Sequence, residues 1–237
     1  MEYIVILIIS IVSIFIMKFA FQIKIKDFKK IKSIGYDKKL NEITNKLPEN
    51  KEVCEKILTD FDNRKVKIEI NEDKDSSLSY YMALTDHIII ANINDTFTRI
   101  QTIAHECLHS IQNRKMLMFN FIFSNIYILY FLIISVLTIL KVKHEPLIFV
   151  TILILMGFVQ YAVRSYLETD AMTKAPYVAE KYIKETEKLS KEELETIMQN
   201  YKELNKIGIP ITNFQLMLSN IIKIIIYCVI ATIIVNI

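Results

Sequence analysis

Four stretches of this chain are almost continuously apolar, and charged, helix-forming segments separate them. Residues 3–23 carry one charge, Lys18. Residues 117–140 and 147–163 carry none, and residues 215–237 carry only Lys223, close enough to one end to snorkel. Each stretch is long enough to span a bilayer, with 147–163 at the lower limit. Residues 24–64 space Leu, Ile and Val among Lys and Glu. That spacing predicts one or two amphipathic helices, interrupted near Pro48-Glu49-Asn50, the second over Glu52–Phe61. The period then changes. Lys65–Ile70 alternates polar and apolar residues, as a half-buried strand does, and Asn71–Ser77 reads as a turn. Ser79–Leu84 and His87–Asn92 read as two further strands around Thr85-Asp86, which predicts a small antiparallel sheet.

Helical spacing returns at Phe97, Ile100, Ile103, Ala104, Leu108 and Ile111, with Asn94 or Asp95 as the expected cap and an end near Asn113–Lys115. The next two apolar stretches are joined by the short Lys141–Pro146 turn, so they form a hairpin. Arg164–Ala175 reads as a helical continuation of the third span, stopping at Pro176, and a further helix is expected over Ala179–Lys188. Ser190-Lys-Glu-Glu193 is a capping-box pattern opening a helix that ends before Gly208-Ile-Pro210. The predicted fold is therefore mainly α and integral to a membrane. It has an anchor at 1–23, a polar part at 24–116 with the small sheet, and a transmembrane hairpin at 117–163. A second polar part covers 164–214, and a fourth transmembrane helix covers 215–237.

Charge orients this layout. No positive residue precedes the first span, whereas Lys24, Lys26, Lys29, Lys30 and Lys32 follow it. By the positive-inside rule the polar parts are cytoplasmic and both termini lie outside a cell membrane. Lys141 and Lys143 in the hairpin turn oppose this assignment, but far more Lys and Arg lie on the other side. A formal net charge of +3 offers no signature of nucleic-acid binding, and three glycines leave no glycine-rich phosphate loop. Cys54, Cys107 and Cys228 are an odd, widely spaced set, read as free thiols suited to a reducing compartment. The oligomeric state is not encoded in any recognisable pattern.

Candidate chemistry concentrates in one helix. Thr102-Ile-Ala-His105-Glu106-Cys107-Leu108-His109 contains His-Glu-x-x-His. On a helix, positions i and i+4 share a face, so both imidazoles can reach one metal ion, with Glu106 beside them to take a proton from a water molecule. Cys107 points away from that face and reads as a packing residue, and Gln112 as a polar residue of the helix surface. A catalytic zinc needs a third protein ligand. The candidates are His87 on the preceding strand, His144 in the outer turn, and Glu168 and Asp170 beyond the hairpin. Glu168 is favoured, because a chain returning from the membrane beside the motif helix lays its first turns next to the histidines.

Ala104-His105-Glu106-Cys107-Leu108-His109-Ser110-Ile111-Gln112, followed by Glu168-Thr169-Asp170-Ala171 and Ala175, resembles the YugP-type neutral zinc metallopeptidases of bacterial membranes. More distantly it is similar to gluzincins of the HtpX and CaaX-protease type. The likeness covers roughly residues 78–176 and implies a zincin-like α+β catalytic part. It also implies a zinc ion held by His105, His109 and Glu168, with Glu106 as general base and Asp170 supporting a ligand histidine. One departure is Leu108, where most such relatives carry Gly. Arg164, Tyr166 and Tyr177 are candidates for stabilising an oxyanion, although such residues at a membrane interface are usually anchors. The implied substrate is a protein or peptide in or near the lipid bilayer. The competing reading is a catalytically silent zinc-binding scaffold or partner-binding protein of the same fold. A transporter would need ionisable residues deep in the spans, and only Lys18 and Lys223 qualify, both near ends.

Overall fold

The computed structural model describes residues 2–35, 37–71, 78–142 and 146–235. Among these residues the chain forms α1 (Glu2–Ala20), α2 (Ile25–Gly35), α3 (Lys38–Thr44), α4 (Asn50–Asp60), β1 (Lys67–Ile70), β2 (Tyr80–Met82), β3 (His87–Ile90), α5 (Arg99–Ile111), α6 (Arg114–Ile139), α7 (Pro146–Thr186) and α8 (Lys191–Val235). It is mainly helical, and α1, α6, α7 and α8 are long and apolar enough to cross a membrane. Two units divide the chain. Unit 1 takes Met1–Ile23, Phe119–Tyr166 and Pro210–Ile237, and unit 2 takes Lys24–Met118 and Leu167–Ile209.

Unit 1 is built from the apolar helices. Tyr127 and Ile134 of α6, Val150 and Leu153 of α7, and Ile224, Tyr227 and Cys228 of α8 form its buried core. Tyr130 donates a hydrogen bond to the Phe149 carbonyl at 3.0 Å, tying α6 to α7. Gly157 is where a side chain would not fit: a Cβ there would lie 3.0 Å from the Tyr127 hydroxyl. Asn220 is buried yet partnered, its amide donating to the Gly157 carbonyl and to Gln160, each at 2.9 Å. A polar group in an apolar bundle is tolerable only when satisfied in this way.

Unit 2 packs α3, α4, α5 and parts of α7 and α8 around the inner face of the sheet. The sheet is mixed, not antiparallel as expected. Its order is β1-β3-β2, with β1 parallel and β2 antiparallel to β3. Residue character explains the order. Ile88 and Ile90 are fully buried, so the strand richest in β-branched residues takes the centre. The strands bearing Lys67, Glu69 and the exposed Tyr80 are left at the edges, where charge and polarity are tolerated. The turn expected over 71–77 falls, apart from Asn71, outside the described residues.

Several helix boundaries also differ from expectation. The segment before the sheet holds three helices, α2, α3 and α4, rather than one or two. No residue caps α5 through its side chain, and Thr98 rather than Asn94 or Asp95 precedes it. Asn94 instead accepts a hydrogen bond from Asn50 at 2.7 Å. The start of α5 is held by tertiary contacts: the Phe97 N–H donates to Asn41, and the Arg99 guanidinium donates to the Thr44, Leu47 and Pro48 carbonyls and to the Asn50 side chain. The helix expected to stop at Pro176 runs on to Thr186 without a break. Proline removes the N–H that would bond the Met172 carbonyl. That carbonyl accepts from Asn205 of α8 instead, so no buried acceptor is orphaned. The Ser190–Glu193 capping box forms in both directions, but α8 continues through Pro210 to Val235.

Candidate metal centre

The histidine-bearing helix α5 turns Ile100, Ile103, Ala104, Cys107 and Leu108 into the core of unit 2. His105 and His109 sit together at the edge of that buried stripe. Their Nε2 atoms are 3.0 Å apart, with the rings nearly perpendicular. The third member comes from α7, after the chain has passed through α6 and the first part of α7 in unit 1. Ala171, Ala175 and Ala179 place a buried stripe of small side chains in the same core as α5. Glu168 lies one turn before Ala171 on that stripe. Its Oε2 is 3.5 Å from His105 Nε2 and 3.7 Å from His109 Nε2. Among the described residues this is the one group of His, Cys, Asp or Glu side chains close enough to hold a metal ion. The three side chains keep between 12% and 25% of their surface exposed, so a further ligand can enter from solvent.

Gln112, read from sequence as a surface residue, fixes the chemistry of His109. Its amide nitrogen donates to the Leu167 carbonyl at 2.9 Å and to Asp170 Oδ2 at 3.0 Å. A carbonyl can only accept, and so can an ionised carboxylate, which Asp170 is while Lys174 lies 2.5 Å away. The amide oxygen therefore faces His109, 2.8 Å from Nδ1. That oxygen can only accept as well, so Nδ1 carries a proton and Nε2 is the atom left to offer a lone pair to a metal ion. Asp170 thus supports a histidine, but through Gln112 rather than directly. The sequence signal was the three-residue step from His109, which places Gln112 near its face.

Glu106 is 6% exposed, the most deeply buried carboxylate of the site. Burial raises its pKa above the ordinary glutamate value, while both histidines pull it down and Glu168 pushes it up. The Tyr81 backbone on β2 pulls it down as well, as the smallest of these influences. The pKa of His109 is raised as well, but against its burial. Burial alone would lower its pKa, but the Glu168 carboxylate together with Glu106 and Gln112 outweighs burial and raises it.

The remaining candidates fall elsewhere. His87 shares the sheet face opposite the buried Ile88 and Ile90, 3.5 Å from Glu69. His144 lies outside the described residues. Arg164 and Tyr166 belong to unit 1, and Tyr177 is exposed. Cys107 is fully buried with its Sγ 3.6 Å from that of Cys54, and all three cysteines are free. Leu108 is 5% exposed and takes its place in the core. Compared with known proteins, the chain matches no family model, no curated protein and no solved structure.

Proposed function

We propose that this chain is a membrane-embedded zinc endopeptidase that hydrolyses peptide bonds of membrane or membrane-adjacent proteins at the cytoplasmic face. One observation carries the reading: two imidazole Nε2 atoms and one carboxylate oxygen converge beside a buried glutamate. Separations of 3.0, 3.5 and 3.7 Å place the three atoms on a circle of about 2.0 Å radius, the usual length of zinc bonds to His and Glu. Two neutral imidazoles and one carboxylate are a donor set typical of catalytic zinc. The resemblance of Ala104–Gln112 and Glu168–Ala175 to YugP-type metallopeptidases supports the same reading.

Zinc, when bound, supplies Lewis acidity that polarises a scissile carbonyl and brings the pKa of water toward neutrality. The protein does the rest. His105, His109 and Glu168 would hold the ion, and Gln112 keeps the His109 proton on Nδ1 so that Nε2 is free to ligate. Glu106 takes the proton from the attacking water and returns it to the leaving amine. β2 is an edge strand, which favours main-chain pairing with an extended substrate segment.

The test is zinc content and caseinolytic or self-cleaving activity of purified protein beside Glu106→Gln and Glu168→Ala. Glu106→Gln is expected to retain zinc and lose activity, and Glu168→Ala to lose zinc. Activity surviving Glu106→Gln would refute the mechanism. A protein that holds zinc through all three ligands but cleaves nothing in its native form is the scaffold instead.

A further inference from the structure

The first helix of unit 2 has a feature that the metal site does not use. α2 buries none of its residues. Ile31 and Ile34 are partly buried, and Ile34 packs against the unit 2 core. The next positions round the helix, Phe28 and Ile25, are 44% and 71% exposed. Lys29 borders this pair of large apolar side chains, and Lys32 lies in angle between Phe28 and Ile25 two turns along the helix from Ile25. The charge is just as local. Residues 24–39 hold seven lysines against Asp27 and Asp37, a larger positive excess than the +3 of the whole chain. Among the described residues only Lys30 of this group forms an ion pair, with Glu203. Along the chain only residues 21–24 separate α2 from the apolar helix α1.

We infer that α2 lies on the bilayer surface and docks onto anionic phospholipid headgroups. Ile25 and Phe28 enter the headgroup–acyl boundary, and Lys26, Lys29 and Lys32 neutralise the phosphates around them. Large exposed apolar side chains with lysines among and beside them are the pattern of an interfacial helix. A lysine cluster next to a transmembrane helix favours negatively charged lipid, by about fivefold per lysine near the surface. Charge complementarity selects lipid over a protein partner, because the apolar pair is too small for a stable protein interface. The inference is independent of the chemistry at His105.

The chain contains no tryptophan, so Phe28→Trp installs a single indole reporter in it. In nanodiscs containing phosphatidylglycerol, its emission is expected to shift to the blue and to be quenched by lipids brominated on the acyl chain. In discs of phosphatidylcholine alone, both effects should be several-fold smaller. Inorganic phosphate added to detergent-solubilised protein should leave the emission unchanged, which separates a bilayer surface from a free-phosphate site. Adding Lys26→Gln, Lys29→Gln and Lys32→Gln should abolish the difference between the two lipids. Ile25→Trp provides the same readout should Phe28→Trp fold poorly. Emission typical of water-exposed indole in both discs overturns the inference, as does a lipid preference that survives the triple lysine change.

Discussion

Replacing Gln112 by leucine removes the group that holds His109 in its Nδ1–H form, and the structure sets the size of the effect. Leucine fills a similar volume but cannot accept from Nδ1, which now lies 2.8 Å from the amide oxygen. The His109 ring is then free to turn or to move its proton to Nε2, where it blocks the metal. Groups that orient a metal-binding histidine typically contribute 10- to 100-fold in affinity, which corresponds to about 1.4–2.7 kcal/mol. The two donor contacts of the amide, to Leu167 and Asp170, are also lost. Their site is half-buried and Asp170 keeps Lys174, so that loss is about 1–2 kcal/mol of folding stability. Gln112→Glu separates the two roles. A carboxylate still accepts from Nδ1 but cannot donate to Leu167 or Asp170, and it sets a second negative charge beside Asp170. Zinc competition against a chromophoric chelator should show Gln112→Leu weakened 10- to 100-fold and Gln112→Glu within a few-fold of the parent. Thermal unfolding of chelator-treated protein should show both variants destabilised. A Gln112→Leu protein that binds zinc within twofold of the parent refutes the tautomer argument, and equal zinc loss in both variants reduces Gln112 to an anchor.

Further outcomes follow from the same geometry. The pKa of His109 is raised, so protonated His109 and Glu168 stabilise the metal-free fold fully below the unfolded histidine value of about 6.5, and this contribution is lost as pH rises through the higher folded value. Zinc competes with that proton, so the melting shift produced by zinc should grow as pH rises through the same window. A shift that is flat between pH 5.5 and 8 contradicts this. Arg99 is 3% exposed and serves three backbone carbonyls and Asn50. Arg99→Met should cost about 3–5 kcal/mol in chemical denaturation, because buried acceptors lose a charged donor. Arg99→Lys should recover only part of that, since one ammonium cannot span the same acceptors. A denaturation midpoint unchanged in Arg99→Met would show that the start of α5 is held by something else.

Local pattern alone determined much of this protein. Long apolar runs cannot leave their side chains in water, so the four long apolar helices were visible in composition before any contact was known. The i, i+4 step put His105 and His109 on one face because helix geometry is independent of what surrounds it. The alternation in Lys65–Ile70 and the reciprocal Ser190–Glu193 cap were legible for the same reason, each depending on residues within one turn or one strand. Tertiary structure decided whatever depends on partners distant in sequence. Strand order could not be read because parallel and antiparallel neighbours share one alternating pattern; burial of Ile88 and Ile90 put β3 in the middle. Pro176 looks like a helix terminator until Asn205 takes over the carbonyl it frees. Asn94 and Asp95 look like caps, but Asn41 and the segment 44–50 pin the start of α5 instead. Gln112 shows the limit most sharply. Its spacing placed it near His109, but the proton on Nδ1 follows from two acceptors, Leu167 and Asp170, more than fifty residues further along the chain. They fix which end of the amide faces the histidine, and that choice is made only in the folded molecule.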